Sequence, residues 1–329
     1  MGRNTRIEWA THTFNMWQGC HKVSTGCKNC YAETMNQRWK NGENWGLEAP
    51  RWYMRDEYWH QLEIWNRAAG EAGRRELVFV NSQSDVFERH PVALEHMEQD
   101  NRRLRLYEEI LRCENLIFLL LTKRPENVVD MVPPGWGAVG WPENVMLMTS
   151  IENQEVAPAR LRALLATGAQ MHGLSMEPLL GPVEFAEMLR EVTCQACGFY
   201  GLQLDLEPGD DCPHCKHGMH LVWGDYYRDA IDWVIVGGES GHGARPMHPE
   251  WARDLRAQCE ALEAPFFFKQ WGHWLPVDQL EYNHEARMKA TRTGGEFVGV
   301  GKSLAGRLLD GEQYDAAPFD LTVKREEAL

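Results

Sequence analysis

Six short apolar runs between residues 77 and 271 each end in polar residues, and helix-like segments separate most of them. LVFV at 77–80 meets Asn81, Ser82, Gln83, Ser84 and Asp85, and a charged amphipathic helix is expected over 91–113. LIFLLL at 116–121 meets Thr122, Lys123, Arg124 and Pro125. VMLM at 145–148 meets Thr149, Ser150, Ile151, Glu152 and Asn153, with a helix expected over 157–166. The run at 171–176 leads to Glu177 and Pro178, and WVIV at 233–236 leads to Gly237, Gly238, Glu239 and Ser240 before a helix over 249–263. FFF at 266–268 ends at Lys269, Gln270 and Trp271. Continuous apolar runs alternating with helices are the pattern of buried parallel strands joined by right-handed crossovers.

With a strand near Phe14, this gives six or seven βα units and an α/β fold, best read as a partial or complete TIM-like (βα) barrel. The alternative is a doubly wound open sheet, which lacks support because no G-x-G-x-x-G follows the first strand. Either fold gathers the polar residues at the carboxyl ends of the strands. Singly, Ser82 or Thr122 reads as a helix cap and Asp85 as a partner for a nearby cation; their repetition at strand ends is what points to a site. Upstream, helices are expected over 32–38 and 58–69, the latter ended by Gly70 and Gly73. Beyond Gly272, Gly294, Gly295, Gly299 and Gly301 bracket short strand-like pieces, 302–310 reads as a short helix, and 323–329 is expected to fray. The barrel is therefore assigned to residues 1–190 and 222–275, an insertion to 191–221, and a C-terminal extension to 276–329.

Composition narrows the picture. With 43% hydrophobic residues among 329, the chain can bury a large core. Its formal charge of −14 argues against a broad grip on duplex DNA and leaves room for a local basic groove. The opening MGRNTRIEWATHTF has no apolar signal core and no run approaches a membrane span, so a soluble cytoplasmic protein without membrane contact is expected. Reduced thiols and metal centres persist there.

The nine cysteines carry the chemistry. Cys20, Cys27 and Cys30 form C-x6-C-x2-C, with Gly19 and Gly26 allowing the tight turns that gather sulfurs on one loop. A closed zinc site wants four ligands. A four-iron cluster on three thiolates leaves one iron open to another molecule. Two other readings stand beside it: zinc completed by His12, His21 or a distant residue, and small buried core thiols. The insertion carries C-x2-C-x14-C-x2-C at Cys194, Cys197, Cys212 and Cys215, a spacing that places four sulfurs around a structural Zn2+. It reads as a zinc ribbon acting as a lid or as a partner-docking module; His214, His217 and His220 are nearby, but the cysteines already fill the site.

Several blocks together resemble a known family: IEW and N-x-W-x-G-C between Ile7 and Cys20, GCKNCYAE, VNSQSDVF, LLTKRPEN, LSMEPLLGPV, DWVIVGGESG-x-x-ARPM, PFFFKQWG and GKSLAGRLLDG. This looks like a family of phage- and prophage-encoded radical S-adenosylmethionine (SAM) proteins, similar to the group that includes spore photoproduct lyase. The resemblance runs from about Arg6 to Asp310 and leaves out mainly the ribbon. It implies a [4Fe-4S] cluster on Cys20, Cys27 and Cys30 that binds SAM and cleaves it to methionine and a 5′-deoxyadenosyl radical. The chain departs from the commonest pattern of that group, C-x3-C-x2-C, by its longer first gap, and Asn29 stands where an aromatic residue is usual, with Tyr31 just after the last cysteine.

On this reading the strand-end residues Ser82, Asp85, Thr122, Lys123, Arg124, Ser150, Glu152, Gly237, Gly238 and Glu239 bind the cofactor. Asp85 and Glu152 would accept ribose hydroxyls or the SAM ammonium, and Lys123 or Arg124 would meet its carboxylate. Gly237 and Gly238 would let the backbone approach the adenine or methionine. Glu177, Glu239, Lys269 and Gln270 are the catalytic candidates facing substrate. The implied phage setting points to a nucleobase or nucleotide in DNA modification or repair, with Trp271 or Trp274 stacking on the base, and a reductant protein would supply electrons. Two competing functions remain: a non-catalytic zinc-binding adaptor that docks protein or nucleic acid, and a SAM-dependent methyltransferase, disfavoured by the missing glycine-rich first loop.

Overall fold

The computed structural model describes residues 5–206, 211–216, 221–289 and 295–321. His217, His220, Gly294 and the stretch 323–329 lie outside the described residues. Seven strands form the central sheet: β1 His12–Phe14, β2 Glu76–Val80, β3 Leu116–Thr122, β4 Val145–Ser150, β5 His172–Met176, β6 Trp233–Gly237 and β7 Phe266–Gln270. All neighbours are parallel, and spatial order equals chain order from β1 to β7. A doubly wound sheet reverses its strand order at a switch point. Here no reversal occurs, so the crossovers stay on one side and the sheet curls into a half-barrel whose edges, β1 and β7, do not meet. The architecture is a partial TIM-like fold.

Two apolar layers follow from the two-residue period of the strands. The odd residues Leu77, Phe79, Ile117, Leu119, Trp233, Ile235 and Phe267 line the concave face with Met146 and Met148, and Trp9 of the N-terminal segment packs among them. Gly173 on β5 leaves room for these methionines, since an added Cβ would lie 2.8 Å from Met148 Cε. The alternate residues Val78, Val80, Phe118, Leu120, Leu147, Leu174 and Val234 form the outer layer. Against it pack α2 Asp56–Glu71, α3 Ala93–Arg112, α4 Ala157–Leu165 and α5 Pro249–Leu262, through Leu62, Leu106, Leu161 and Leu255 among others. Helix α1, Tyr31–Lys40, follows the cysteine loop directly.

The chain past Gly272 returns along the open edge. Trp274–Pro276 pairs with Phe297–Gly299, the Phe268 amide donates to the Tyr314 carbonyl at 2.9 Å, and Phe267 bridges Asp315. The extension thereby covers the unpaired side of β7. The helix expected over 302–310 stops at Ala305, because Gly306 turns to φ 72 and ends it.

The insertion forms a three-stranded antiparallel sheet with Arg190–Cys194 between Tyr200–Leu202 and Leu221–Tyr226. It joins the body at the amino end of the strands. Tyr227 donates its amide to the Leu189 carbonyl, Asp232 pairs with His172 at the start of β5, and Arg162 in the last turn of α4 donates to the Leu204 carbonyl. That is the end opposite the strand tips. A lid over the tips is therefore excluded for this insertion.

Candidate metal centre and strand-tip site

After β1 the chain folds back across the carboxyl ends of the strands. Trp17 and Gln18 pair with Tyr53 and Trp52, and the Gly19 amide donates to the Gln83 carbonyl at 3.1 Å. Gly19 sits at φ +106 and an added Cβ would lie 2.2 Å from the Asn44 carbonyl oxygen, so glycine is required just before Cys20. Gly26 lies flat on Glu152, whose Oε1 would be 2.3 Å from an added Cβ. Cys30 then occupies the N-cap position of α1. Amides at a helix start favour a thiolate there.

Four strand tips hold this loop. From β2, the Ser82 carbonyl accepts the Tyr31 hydroxyl. From β3, Arg124 brings both Nη atoms to 3.7 Å from Cys20 Sγ and donates to the His21 carbonyl at 3.0 Å. From β4, Glu152 accepts Ser24 Oγ at 2.8 Å. From β6, Glu239 accepts Asn29 Nδ2 at 2.9 Å, and Arg245, bidentate on Glu239, donates to the Thr25 carbonyl at 3.0 Å. The three cysteines are partly exposed at the mouth of the half-barrel.

Behind the loop lies a buried charge network. Asp85 accepts Thr122 Oγ1 at 2.7 Å, the Lys123 amide at 3.0 Å and Arg124 Nη1 at 2.8 Å. Glu152, fully buried, meets Lys123 Nζ at 2.8 Å and Arg160 Nη1 at 2.7 Å. Burial works to raise its pKa, but the two cations prevail and hold it below the ordinary carboxylate value. Glu88 accepts Arg51, His21 and Gln99; against the opposing effect of burial, these partners and Arg124 hold its carboxyl at about 2. Burial pushes the Cys20 thiol up despite Arg124, and pushes Cys30 up against the amides of Glu33 and Ala32. A bound cation would remove that penalty.

Of the residues expected at the strand ends, Ser82, Asp85, Thr122, Lys123, Arg124, Glu152 and Glu239 converge on the loop or the network behind it. Arg124 is only 4% exposed and committed to Asp85 and Cys20, so its guanidinium faces a sulfur. Ser150 is buried, and its carbonyl accepts Arg160 at 2.7 Å. The close approach at Gly238 is made by the chain's own backbone: a Cβ there would lie 2.1 Å from the Trp271 carbonyl oxygen. Gly237 lies against the Glu177 carboxylate. Across the mouth, Lys269 Nζ spans both Glu177 oxygens at 2.6 and 2.8 Å, and both side chains keep some exposure. Gln270 donates to the Gly238 carbonyl at 2.7 Å, while its buried Oε1 lacks a partner among the described residues. Trp271, expected as a stacking surface, is instead 1% exposed with its indole bonded to the Leu308 carbonyl; it is core.

The reading of the sequence missed Glu88, Arg51, Arg160, Asn29, Ser24 and Arg245. Asn29 and Glu239 are 210 residues apart, and no local pattern links them. The buried pair Arg51 and Glu88 sits in segments that read as loop, where charge is normally taken as solvated.

At the far end, the four ribbon cysteines gather tightly. Cys194–Cys215 and Cys197–Cys212 lie at 3.6 Å, and all four sulfurs are within 4.8 Å of one another. Zinc–sulfur bonds of about 2.3 Å at tetrahedral angles require about 3.8 Å between sulfurs. The group could hold a metal ion. Among the described residues it is the one such group of three or more ligand-type side chains, so the sulfurs of Cys20, Cys27 and Cys30 do not all lie within 4.8 Å of one another.

One family model matches residues 4–318 of the chain, nearly its whole length. The chain belongs to DUF5131. That family is described as a protein of unknown function. Among solved structures, a spore photoproduct lyase carrying a cysteine-to-alanine mutation, with dinucleoside spore photoproduct, is similar to this DUF5131 chain. The match has a TM-score of 0.35 and 14% identity over 54% of the chain. It spans 48% of the lyase, about half of that enzyme's length. No curated protein sequence matches. Among the described residues, no helix is long and apolar enough to cross a membrane.

Proposed function

We propose that this chain is a radical SAM enzyme whose [4Fe-4S] cluster is held by Cys20, Cys27 and Cys30 at the strand tips. The observation that carries the reading is the seating of the cysteine loop. Tips of β2, β3, β4 and β6 each hold it by a named bond, and its three cysteines, half-buried as residues, sit where a half-barrel places its site. Three thiols on one loop, not all within 4.8 Å of one another, with a guanidinium on one sulfur, make a donor set that suits a polynuclear cluster. When bound, such a cluster would supply a coordination site for SAM and the electron for its reductive cleavage.

The protein's part is to position and to exclude water. Lys123, with some exposure beside its partner Glu152, offers its ammonium to the SAM carboxylate, and half-buried Ser82 offers a hydroxyl at the mouth. Asp85, Thr122, Arg124, Ser150 and Glu152 act from behind, keeping loop and strand tips in register. Glu177 and Lys269 face substrate as a pair able to accept or give a proton, and Glu239 fixes Asn29 beside Cys30. The substrate is a nucleobase or nucleotide, as in modification or repair of phage DNA, a reductant protein reduces the cluster, and the work is cytoplasmic. A Zn2+ in the ribbon is structural.

The tight four-sulfur group favours a second reading, a zinc-binding adaptor without catalysis. Anaerobic reconstitution followed by dithionite and SAM separates them. Release of 5′-deoxyadenosine supports the enzyme. Protein that holds zinc alone and leaves SAM intact supports the adaptor, and S-adenosylhomocysteine would indicate methyl transfer.

A further inference from the structure

We infer that the surface formed by α1 and the Trp52 segment, beside the cysteine loop, is a docking platform for single-stranded nucleic acid. This rests on the centre proposed above for its purpose, and on independent observations for its chemistry. Tyr31, Met35 and Trp39 follow at four-residue spacing along α1, so they lie on one face of the helix. They are 50%, 38% and 72% exposed, and Trp52 is 47% exposed. Large exposed aromatics grouped in one place mark a binding surface. The stripe starts at Tyr31, next to Cys30, and leads outward from the mouth.

Charge selects the occupant. In a chain of net charge −14, residues 17–58 carry six cations, Lys22, Lys28, Arg38, Lys40, Arg51 and Arg55, against five carboxylates, Glu33, Glu43, Glu48, Asp56 and Glu57, of which Asp56 is paired with Arg105. Arg51 is buried on Glu88 and Lys22 pairs with Glu33, but among the described residues Lys28, Arg38 and Lys40 make no ion pair. Lys40 places its ammonium 3.2 Å from the centre of the Trp52 ring. Beside them lies a cleft of about 210 Å³ lined by Asn15, Gln18, Lys40, Trp52, Met54 and Tyr58. Its apolar lining, with two aromatic rings and an ammonium at hand, suits the flat face of one planar base. Exposed rings interleaved with unpaired cations are the pattern of a strand on which bases stack and phosphates are neutralised. A duplex would hide its base faces from these rings.

The test uses the full chain and a fluorescent single strand of about twelve nucleotides, in DNA and RNA arms, followed by anisotropy over a salt series. Trp39→Ala and Trp52→Ala should each weaken binding roughly tenfold, as loss of one stacked base does. Lys40→Gln should reduce the slope of log affinity against log salt by about 0.7, one phosphate's worth. Trp223→Ala, in the ribbon at the other end of the sheet, should change nothing. The inference is overturned if neither single strand binds at low salt, if duplex binds as tightly, if both tryptophan variants stay within about twofold of the parent, or if Trp223→Ala weakens binding equally. Visible absorption of the cluster is recorded on the same samples. Binding without a cluster sinks the redox reading and leaves the platform; a cluster without binding does the reverse.

Discussion

Replacing Glu88 by glutamine tests whether a buried carboxylate anchors the cysteine loop from behind. Glu88 is fully buried and accepts Arg51 Nε at 2.9 Å and Nη2 at 2.8 Å, Gln99 Nε2 at 2.9 Å and His21 Nδ1 at 2.8 Å. These partners take its carboxyl from the ordinary 4.5 to about 2. At about 1.4 kcal/mol per pKa unit, ionised Glu88 contributes about 3 kcal/mol to the folded state. The sign follows from a depressed pKa. The contribution is complete above the unfolded value of 4.5 and is lost as pH falls towards about 2. Glu88→Gln removes that contribution and leaves Arg51 buried without its counter-charge, the same interaction seen from the other partner. We predict a destabilisation of about 3 kcal/mol near neutral pH, read by urea unfolding with tryptophan fluorescence. The difference between parent and variant should shrink as pH is lowered from about 6 to about 3. A variant within about 1 kcal/mol of the parent, or a gap that does not change with pH, would refute the reasoning.

Arg124→Gln removes the guanidinium at 3.7 Å from Cys20 Sγ and strands Asp85, so stability should fall by about 3 kcal/mol. On the proposed function, the midpoint potential of the proposed cluster, followed by redox titration of its spectrum, should move to more negative values because a nearby cation is lost, with Arg124→Lys in between. Gly238→Ala puts a methyl 2.1 Å from the Trp271 carbonyl oxygen, and since backbone cannot rotate away the loss should be about 2 kcal/mol or more by thermal unfolding. Replacing Cys197 and Cys212 by serine should abolish zinc in elemental analysis and lower the melting temperature, while iron content stays unchanged.

The half-barrel was legible because its strands are buried on both faces, so each appears as a near-continuous apolar run that ends sharply at polar residues. Leu116–Thr122 and Trp233–Gly237 were placed within a residue or so of their bounds for this reason. The short helix after Lys302 was overextended, because LLD continues a helical pattern and the backbone break at Gly306 is conformational. The ribbon's side of the molecule was not legible either: spacing shows that four sulfurs can meet, but only the contacts at Leu189, His172 and Arg162 place them away from the tips. Strand-end residues could be named as a group and not by role. Glu152 and Arg124 were expected to touch a ligand, yet the chain uses both to hold its own loop, through Ser24 and Cys20, contacts that span 128 and 104 residues.

The central claim is that the N-terminal cysteines, and not the ribbon, hold an iron–sulfur cluster. Iron, acid-labile sulfide and zinc measured per chain after anaerobic reconstitution test it directly, in the parent and in a variant with Cys20→Ala, Cys27→Ala and Cys30→Ala. The account predicts about four iron and four sulfide in the parent, none in the variant, and about one zinc in both. Iron that persists in the variant, or a parent that takes up zinc alone, would contradict it.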